Sequence, residues 1–178
     1  MAVIVVGGSS KGAGKTALIC GLLAALPEFA WAAVKITTHA HGKPEPVWEE
    51  TESGQGTDTA RFLAAGARRA FLVTAGGRDL PLQLRHLSAK LEPGAHILFE
   101  SNRILAHLEP DLCLALQADP SIQRKPSLRT LSLKMDAQVM LADRDSVSAG
   151  DTPLFHLAAL DRISPPMRRW LRQRLRSF

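Results

Sequence analysis

The chain has 178 residues, 46% hydrophobic and 22% charged, with a formal net charge of +5. That length suits one domain able to bury roughly two-thirds of its unfolded surface, and the composition is ordinary for a soluble globular protein. No apolar run approaches the roughly eighteen residues of a membrane-spanning helix, and the apolar start has no basic lead of the signal-peptide kind. Cys20 and Cys113 lie far apart in apolar settings without metal-ligand spacing, so two buried thiols and a cytoplasmic location are expected.

The first element is a strand over about residues 2–6, followed by Gly7-Gly8-Ser9-Ser10-Lys11-Gly12-Ala13-Gly14-Lys15-Thr16 and a helix from about 14 to 26. Strand, Gly-rich loop and helix in that order form the context of a phosphate-binding P-loop. Glycines let the backbone curl until its N–H groups point inward, and the helix N-terminus adds partial positive charge. Ser9, Ser10, Lys11, Gly12, Ala13, Gly14, Lys15 and Thr16 are therefore the expected phosphate cradle. Lys15 would reach the β- and γ-phosphates and the Thr16 hydroxyl would ligate Mg²⁺. The strict pattern wants a glycine where Ser9 stands, with Gly8 one place early, so the loop is a variant.

Pro27-Glu28 breaks the helix, and residues 30–36 read as a second strand. Residues 37–56, rich in Gly, Pro, His, Glu and Trp, show no clean period and read as a long loop. Thr57-Asp58-Thr59 looks like the N-cap of a helix to about Ala65, closed by Gly66. Residues 69–74 are a third strand, 79–91 a helix whose first turn tolerates Pro81, and 95–99 a buried strand running into Glu100-Ser101-Asn102. Another apolar strand covers 111–116, a polar excursion 118–133, and short strands 138–141 and 153–157. At the C-terminus Met167, Trp170, Leu171, Leu175 and Phe178 share one helical face, opposite Arg168, Arg169, Arg172 and Arg176. This reads as a helix docked on the core with a solvated basic face, or as a patch for an anionic partner. No wider basic stripe or tyrosine supports nucleic-acid binding. Continuous apolar strands alternating with helices predict a three-layer α/β P-loop NTPase fold, with a mostly parallel sheet and helices on both faces. Ligands should then bind at the carboxyl ends of the strands.

Glu100 ends an apolar strand where P-loop proteins place a second acidic group near Mg²⁺ or the attacking water. With Lys15 it is the expected catalytic pair, and Thr16, Asp58 and Glu100 are the expected metal ligands. Ser101 and Asn102 are candidates for orienting Glu100. Lys35 ends the second strand, where it would face a phosphate. His39 and His41 share one side of an extended segment and could bind an anion, a metal with Glu45, Glu49, Glu50 or Asp58, or nothing.

Three elements in order carry a resemblance: the P-loop unit, Val34-Lys35-Ile36-Thr37-Thr38-His39-Ala40-His41-Gly42, and Gly56-Thr57-Asp58-Thr59-Ala60-Arg61-Phe62-Leu63-Ala64-Ala65-Gly66-Ala67. Over about residues 1–74 the chain resembles the MobB-type family, which accompanies synthesis of the molybdopterin-guanine dinucleotide form of the molybdenum cofactor. The family's Lys-Asp-Ser turn is Thr57-Asp58-Thr59 here, with the acid and a hydroxyl kept. The resemblance implies a P-loop protein that binds GTP with Mg²⁺, hydrolyses it slowly, dimerises and serves a guanylyltransferase. The residues alone leave GTP and ATP open: Leu133-Lys134-Met135-Asp136 and Ala142-Asp143-Arg144-Asp145 keep only fragments of a guanine-reading motif. An ATP-dependent small-molecule kinase or ligase resembling dethiobiotin synthetases, with Lys11, Lys35, Thr37 and Glu100 about the acceptor, is one alternative. A non-catalytic nucleotide-binding switch is the other.

Overall fold

The computed structural model describes residues 1–8, 12–39, 42–117, 127–148 and 150–175. In chain order the elements are β1 (Val3–Gly8), α1 (Lys15–Ala25), β2 (Trp31–Thr37), β3 (Val47–Glu50), α2 (Asp58–Ala64), β4 (Arg69–Thr74), α3 (Leu80–Lys90), β5 (His96–Glu100), a 3-10 turn (Arg103–Ala106), β6 (Leu112–Gln117), α4 (Ser127–Lys134), β7 (Ala137–Leu141), β8 (Ser146–Ser148), β9 (Leu154–Leu157) and α5 (Pro165–Leu175). They form one 9-stranded sheet in the order β3-β4-β2-β5-β1-β6-β7-β9-β8. From β4 through to β9 every pairing is parallel, while β3 and β8 close the two edges antiparallel.

The central strands are apolar on both faces because both faces are covered. Val6, Ala33, Ala70, Leu98 and Leu114 pack with Leu18, Ile19 and Leu22 of α1, Phe62 of α2, and Met167, Leu171 and Leu175 of α5. Val5, Val34, Phe71, Phe99 and Cys113 pack on the other side with Leu80 and Leu87 of α3 and Leu131 of α4. The expected three-layer α/β architecture is what the chain adopts.

Thr57 caps α2 as expected, its hydroxyl accepting from the Ala60 N–H at 3.0 Å. The buried thiol expectation holds fully for Cys113, whose pKa burial pushes up to about 12. Cys20 is half-buried, with Sγ donating to the Arg61 carbonyl at 3.7 Å. The C-terminal helix docks by its apolar face, and Arg172 pairs with Glu28 at 2.6 Å. Arg168, Arg169 and Arg174 are exposed on its outer side, while Arg176 and Phe178 lie outside the described residues.

Three elements differ from the sequence expectation. The stretch read as a loop over 37–56 contains β3, and the polar excursion over 118–133 contains α4 from Ser127. The exposed edge strand β8 carries no apolar alternation that would have marked it. β3 reads poorly because Glu49 and Glu50 occupy half of it, yet both acids have partners. Arg69 Nε and Nη2 donate to the two Glu49 oxygens at 2.6 and 2.7 Å, and its third nitrogen donates to the Lys90 carbonyl. This fork ties β3 to β4 and to the end of α3.

The Arg69 hydrogen bonds hold the Glu49 carboxyl below its ordinary value of 4.5, against the upward push of partial burial. The stabilisation is therefore complete above 4.5 and disappears as pH falls through the depressed folded value. Glu49→Gln should lower the urea midpoint at neutral pH, and the gap to wild type should close as pH falls below 4.5. Parallel urea titrations of both proteins across pH would show whether it does.

Candidate functional site

Sheet topology fixes the location. β1 sits where the chain's direction across the sheet reverses, with β5, β2 and β4 to one side and β6, β7 and β9 to the other. The crevice at the carboxyl ends of strands at such a point is where open α/β sheets bind ligands. β1 ends there at Gly8 and α1 begins there at Lys15.

Gly14 is the N-cap of α1 with φ 92°, a left-handed conformation that a side chain would strain. No side chain caps this helix, and its first turn holds no acid. Its leading N–H groups are thus directed at the crevice, with the positive end of the helix dipole behind them. The aliphatic stem of Lys15 lies back over Gly8, where a Cβ would stand 3.1 Å from its Cγ. Gly12, Ala13, Gly14, Lys15 and Thr16 thus form a glycine-rich turn that leads into α1, with Gly12 and Gly14 at positive φ. Ser9, Ser10 and Lys11 lie outside the described residues.

Four of the expected site residues meet beside this turn. The Thr16 hydroxyl donates to Glu100 Oε2 at 2.9 Å, joining α1 to the end of β5. Lys35 stands directly opposite Glu100 in the β2–β5 register, and its Nζ donates to Glu100 Oε1 at 3.3 Å. The same ammonium donates to Asp58 in the first turn of α2. Arg61 approaches the other Asp58 oxygen at 3.7 Å from one turn along that helix. Burial alone would lower the Lys35 pKa, but the Glu100 and Asp58 carboxylates outweigh it and raise the value above the ordinary one. Lys35 is a fixed positive charge at neutral pH, held by two carboxylates.

A hydroxyl and two carboxylates are hard oxygen donors of the kind Mg²⁺ selects, and Mg²⁺ needs only one or two carboxylates with water and phosphate oxygens. The donor set Thr16, Asp58 and Glu100 therefore fits that ion. Among the described residues no group of three or more His, Cys, Asp or Glu is placed to hold a metal. His39 is exposed, its backbone N–H donating to Thr37 Oγ1 at 3.2 Å, and His41 lies outside the described residues. The acids offered as its co-ligands are engaged elsewhere: Glu45 with Lys90 at 3.1 Å, Glu49 with Arg69, Glu50 with threonine hydroxyls, Asp58 with Lys35. The candidate guanine readers serve the scaffold. Asp136 accepts the Cys113 N–H at 2.7 Å, Lys134 pairs with Glu109, and Asp145 accepts the Ala158 N–H at 2.8 Å.

Asn102 has a role that sequence reasoning assigned only as an orienter of Glu100. Its Oδ1 accepts the Gly8 N–H at 2.8 Å and its Nδ2 donates to the Gly8 carbonyl at 3.0 Å. The β1–β5 ladder ends at Val6 opposite Glu100, and the Asn102 amide takes the place of the next peptide, extending the ladder to the P-loop entrance. A two-residue offset between Glu100 and Asn102 was the only sequence signal. Ser101 is turned away, its hydroxyl accepting the Arg103 N–H at 3.0 Å.

No family model matches the chain, and no curated protein matches it in sequence. Among solved structures it is similar to LpxK from Aquifex aeolicus, an "apo" form crystallised in complex with ATP, at a TM-score of 0.55 and 18% identity. The match covers 88% of this chain and 53% of the LpxK chain, so this chain spans about half the length of its neighbour. The fold is that of the P-loop NTPases. No helix among the described residues is long and apolar enough to cross a membrane.

Replacing Asn102 by Asp keeps the acceptor for the Gly8 N–H but sets an oxygen against the Gly8 carbonyl. We expect a loss of about 1–3 kcal/mol in folding free energy, the cost of leaving a buried acceptor unpaired. Urea unfolding measures it, and an unchanged midpoint would mean the clamp contributes nothing.

Proposed function

We propose that residues 1–178 form one nucleotide-binding domain that takes a Mg²⁺–nucleoside triphosphate at the Gly12–Thr16 turn and hydrolyses it slowly. The observation that carries this reading is the 2.9 Å contact of the Thr16 hydroxyl with Glu100 at the open N-terminus of α1. In this reading the α1 N–H groups and Lys15 hold the β- and γ-phosphates, and Thr16, Glu100 and Asp58 hold the ion directly or through water. Mg²⁺ at that place would neutralise charge on the β- and γ-oxygens. Glu100 and Lys15 are the catalytic residues, Glu100 by orienting the ion or the attacking water and Lys15 by countering the charge of the transferred group. Lys35 sets the Glu100 and Asp58 carboxylates relative to one another. Catalysis of this kind is positioning and electrostatics, and few residues suffice.

On the resemblance over residues 1–74, the base is guanine and the chain is a dimeric cytoplasmic accessory of a guanylyltransferase in molybdopterin-guanine dinucleotide synthesis. The ATP bound in the LpxK structure favours a second reading, an ATP-dependent kinase or ligase acting on a small acceptor. Calorimetric titration with GTP and ATP, with and without Mg²⁺, separates the two when run beside phosphate release. GTP preference with slow release supports the accessory. ATP preference, with turnover raised by one metabolite, supports the kinase or ligase.

Lys15→Ala tests the site that both readings share. Loss of charge-assisted contacts to the phosphates should weaken triphosphate binding by about tenfold to a hundredfold. The melting temperature without nucleotide is the control for the fold. Wild-type affinity in this variant would overturn the P-loop site.

A further inference from the structure

Glu50 is the last residue of β3 and is 8% exposed, although β3 is an edge strand. A carboxylate taken so far from water must be compensated by hydrogen bonds. Its Oε2 accepts from the Thr57 hydroxyl at 2.9 Å and from the Thr59 hydroxyl at 2.9 Å. Burial would raise its pKa, but these two bonds, the Glu52 N–H donating to Oε1 at 3.5 Å and the Lys43 charge together outweigh it and bring the value below the ordinary one. Thr57 is the N-cap of α2, with its oxygen also accepting the Ala60 N–H at 3.0 Å, and the two threonine oxygens lie 3.1 Å apart.

Asp58 stands between these two threonines. Thr59 is buried and bonded to Glu50 on one side of the chain, while the Asp58 side chain leaves on the other toward Lys35 and Arg61. One carboxylate therefore grips the residues before and after Asp58. Its two hydroxyl contacts bracket the turn from which the Asp58 carboxylate projects. Lys35 carries the placement on to Glu100, and Glu100 to Thr16.

We infer that Glu50 is a positioning residue of the metal–phosphate site, acting through the hydroxyls of Thr57 and Thr59 to place Asp58. The inference rests on the Mg²⁺–nucleotide reading above and goes beyond it, because Glu50 itself touches neither ion nor nucleotide. Partners that orient metal ligands typically cost about 10–100-fold in metal affinity when removed. A role of this kind requires coupling to Asp58, whereas a general contribution to folding does not.

The experiment is calorimetry of the full chain with nucleotide, reading the ratio of affinities with and without Mg²⁺ for wild type, Glu50→Gln, Asp58→Asn and the double variant. Thr59→Val, which removes one hydroxyl at nearly constant shape, is a second variant, and Thr59→Ser restores the hydroxyl. Amide exchange at Ala60 in metal-free protein is read alongside. Expected are a ratio about tenfold lower in Glu50→Gln, a similar loss in Thr59→Val rescued by Thr59→Ser, and faster Ala60 exchange. The double variant should be no worse than Asp58→Asn. A wild-type ratio in Glu50→Gln, or effects that simply add to those of Asp58→Asn, would overturn the inference while leaving the nucleotide reading intact. Wild-type protein without Mg²⁺-dependent nucleotide binding would overturn both.

Discussion

The side-chain cluster at the carboxyl ends of β2 and β5 is organised around the Glu100 carboxylate. Its side chain is 8% exposed, deep enough that an unpaired charge would be costly. Two partners resolve this: a hydroxyl from α1 on one oxygen and the Lys35 ammonium on the other. Because Lys35 is itself shared with Asp58, three separate segments are joined through one buried acid: the P-loop helix, the second strand and the first turn of α2. Breaking such a pair from one side costs about 3–5 kcal/mol, since it strands the remaining charge. The arrangement therefore fixes the positions of carboxylates and cation far more narrowly than a solvated set of the same residues would.

Parallel strand order makes this economy of partners possible. With β5 between β1 and β2, residues at its carboxyl end can reach both neighbours. Glu100 reaches toward α1 and β2, while Asn102 reaches back to Gly8. One short stretch at the end of β5, Glu100 to Asn102, thus sets both the charge beside the Gly-rich turn and the backbone entering it. The antiparallel edge strand β3 extends the same logic from the far side of β4, delivering Glu50 beneath the turn that holds Asp58.

Most of this frame could be read from the sequence, and the parts that could not share a physical cause. Buried parallel strands advertise themselves because both faces must be apolar, and β1, β2, β4, β5 and β6 were placed within a residue or two. The Gly-rich turn was legible because its conformation demands glycines at set positions, with Gly14 at positive φ among them. β3 was hidden because its acids are neutralised by residues distant in sequence: Arg69 for Glu49, Thr57 and Thr59 for Glu50. Sequence spacing carries no mark of a pairing made only through tertiary structure. The Asn102 contacts with Gly8 were hidden for a related reason. Its amide substitutes for a peptide group in the ladder, and substitution of backbone by side chain leaves no periodic pattern. Lys35 was expected to face phosphate, since a cation at a strand end suggests an anionic ligand. In the structure its ammonium donates to two of the protein's own carboxylates.

That last point bears on how charge in the site is balanced. Lys35 and Arg61 stand against Asp58 and Glu100, so this inner cluster is close to neutral by itself. Among the described residues the N-terminus of α1, with no side chain capping it, adds the positive end of the helix dipole beside this cluster. The dipole of α1 draws an anion to the Gly-rich turn, beside the near-neutral cluster. The inner carboxylates, already held in place by Lys35 and by the threonines beneath α2, need no rearrangement of the scaffold to face a cation brought in with that anion. Preorganisation of this kind lowers the reorganisation that binding and charge transfer would otherwise require. It also explains why an acid as remote as Glu50 matters: the value of a preset carboxylate lies in its position, and Asp58 keeps its position only while the turn beneath it is held.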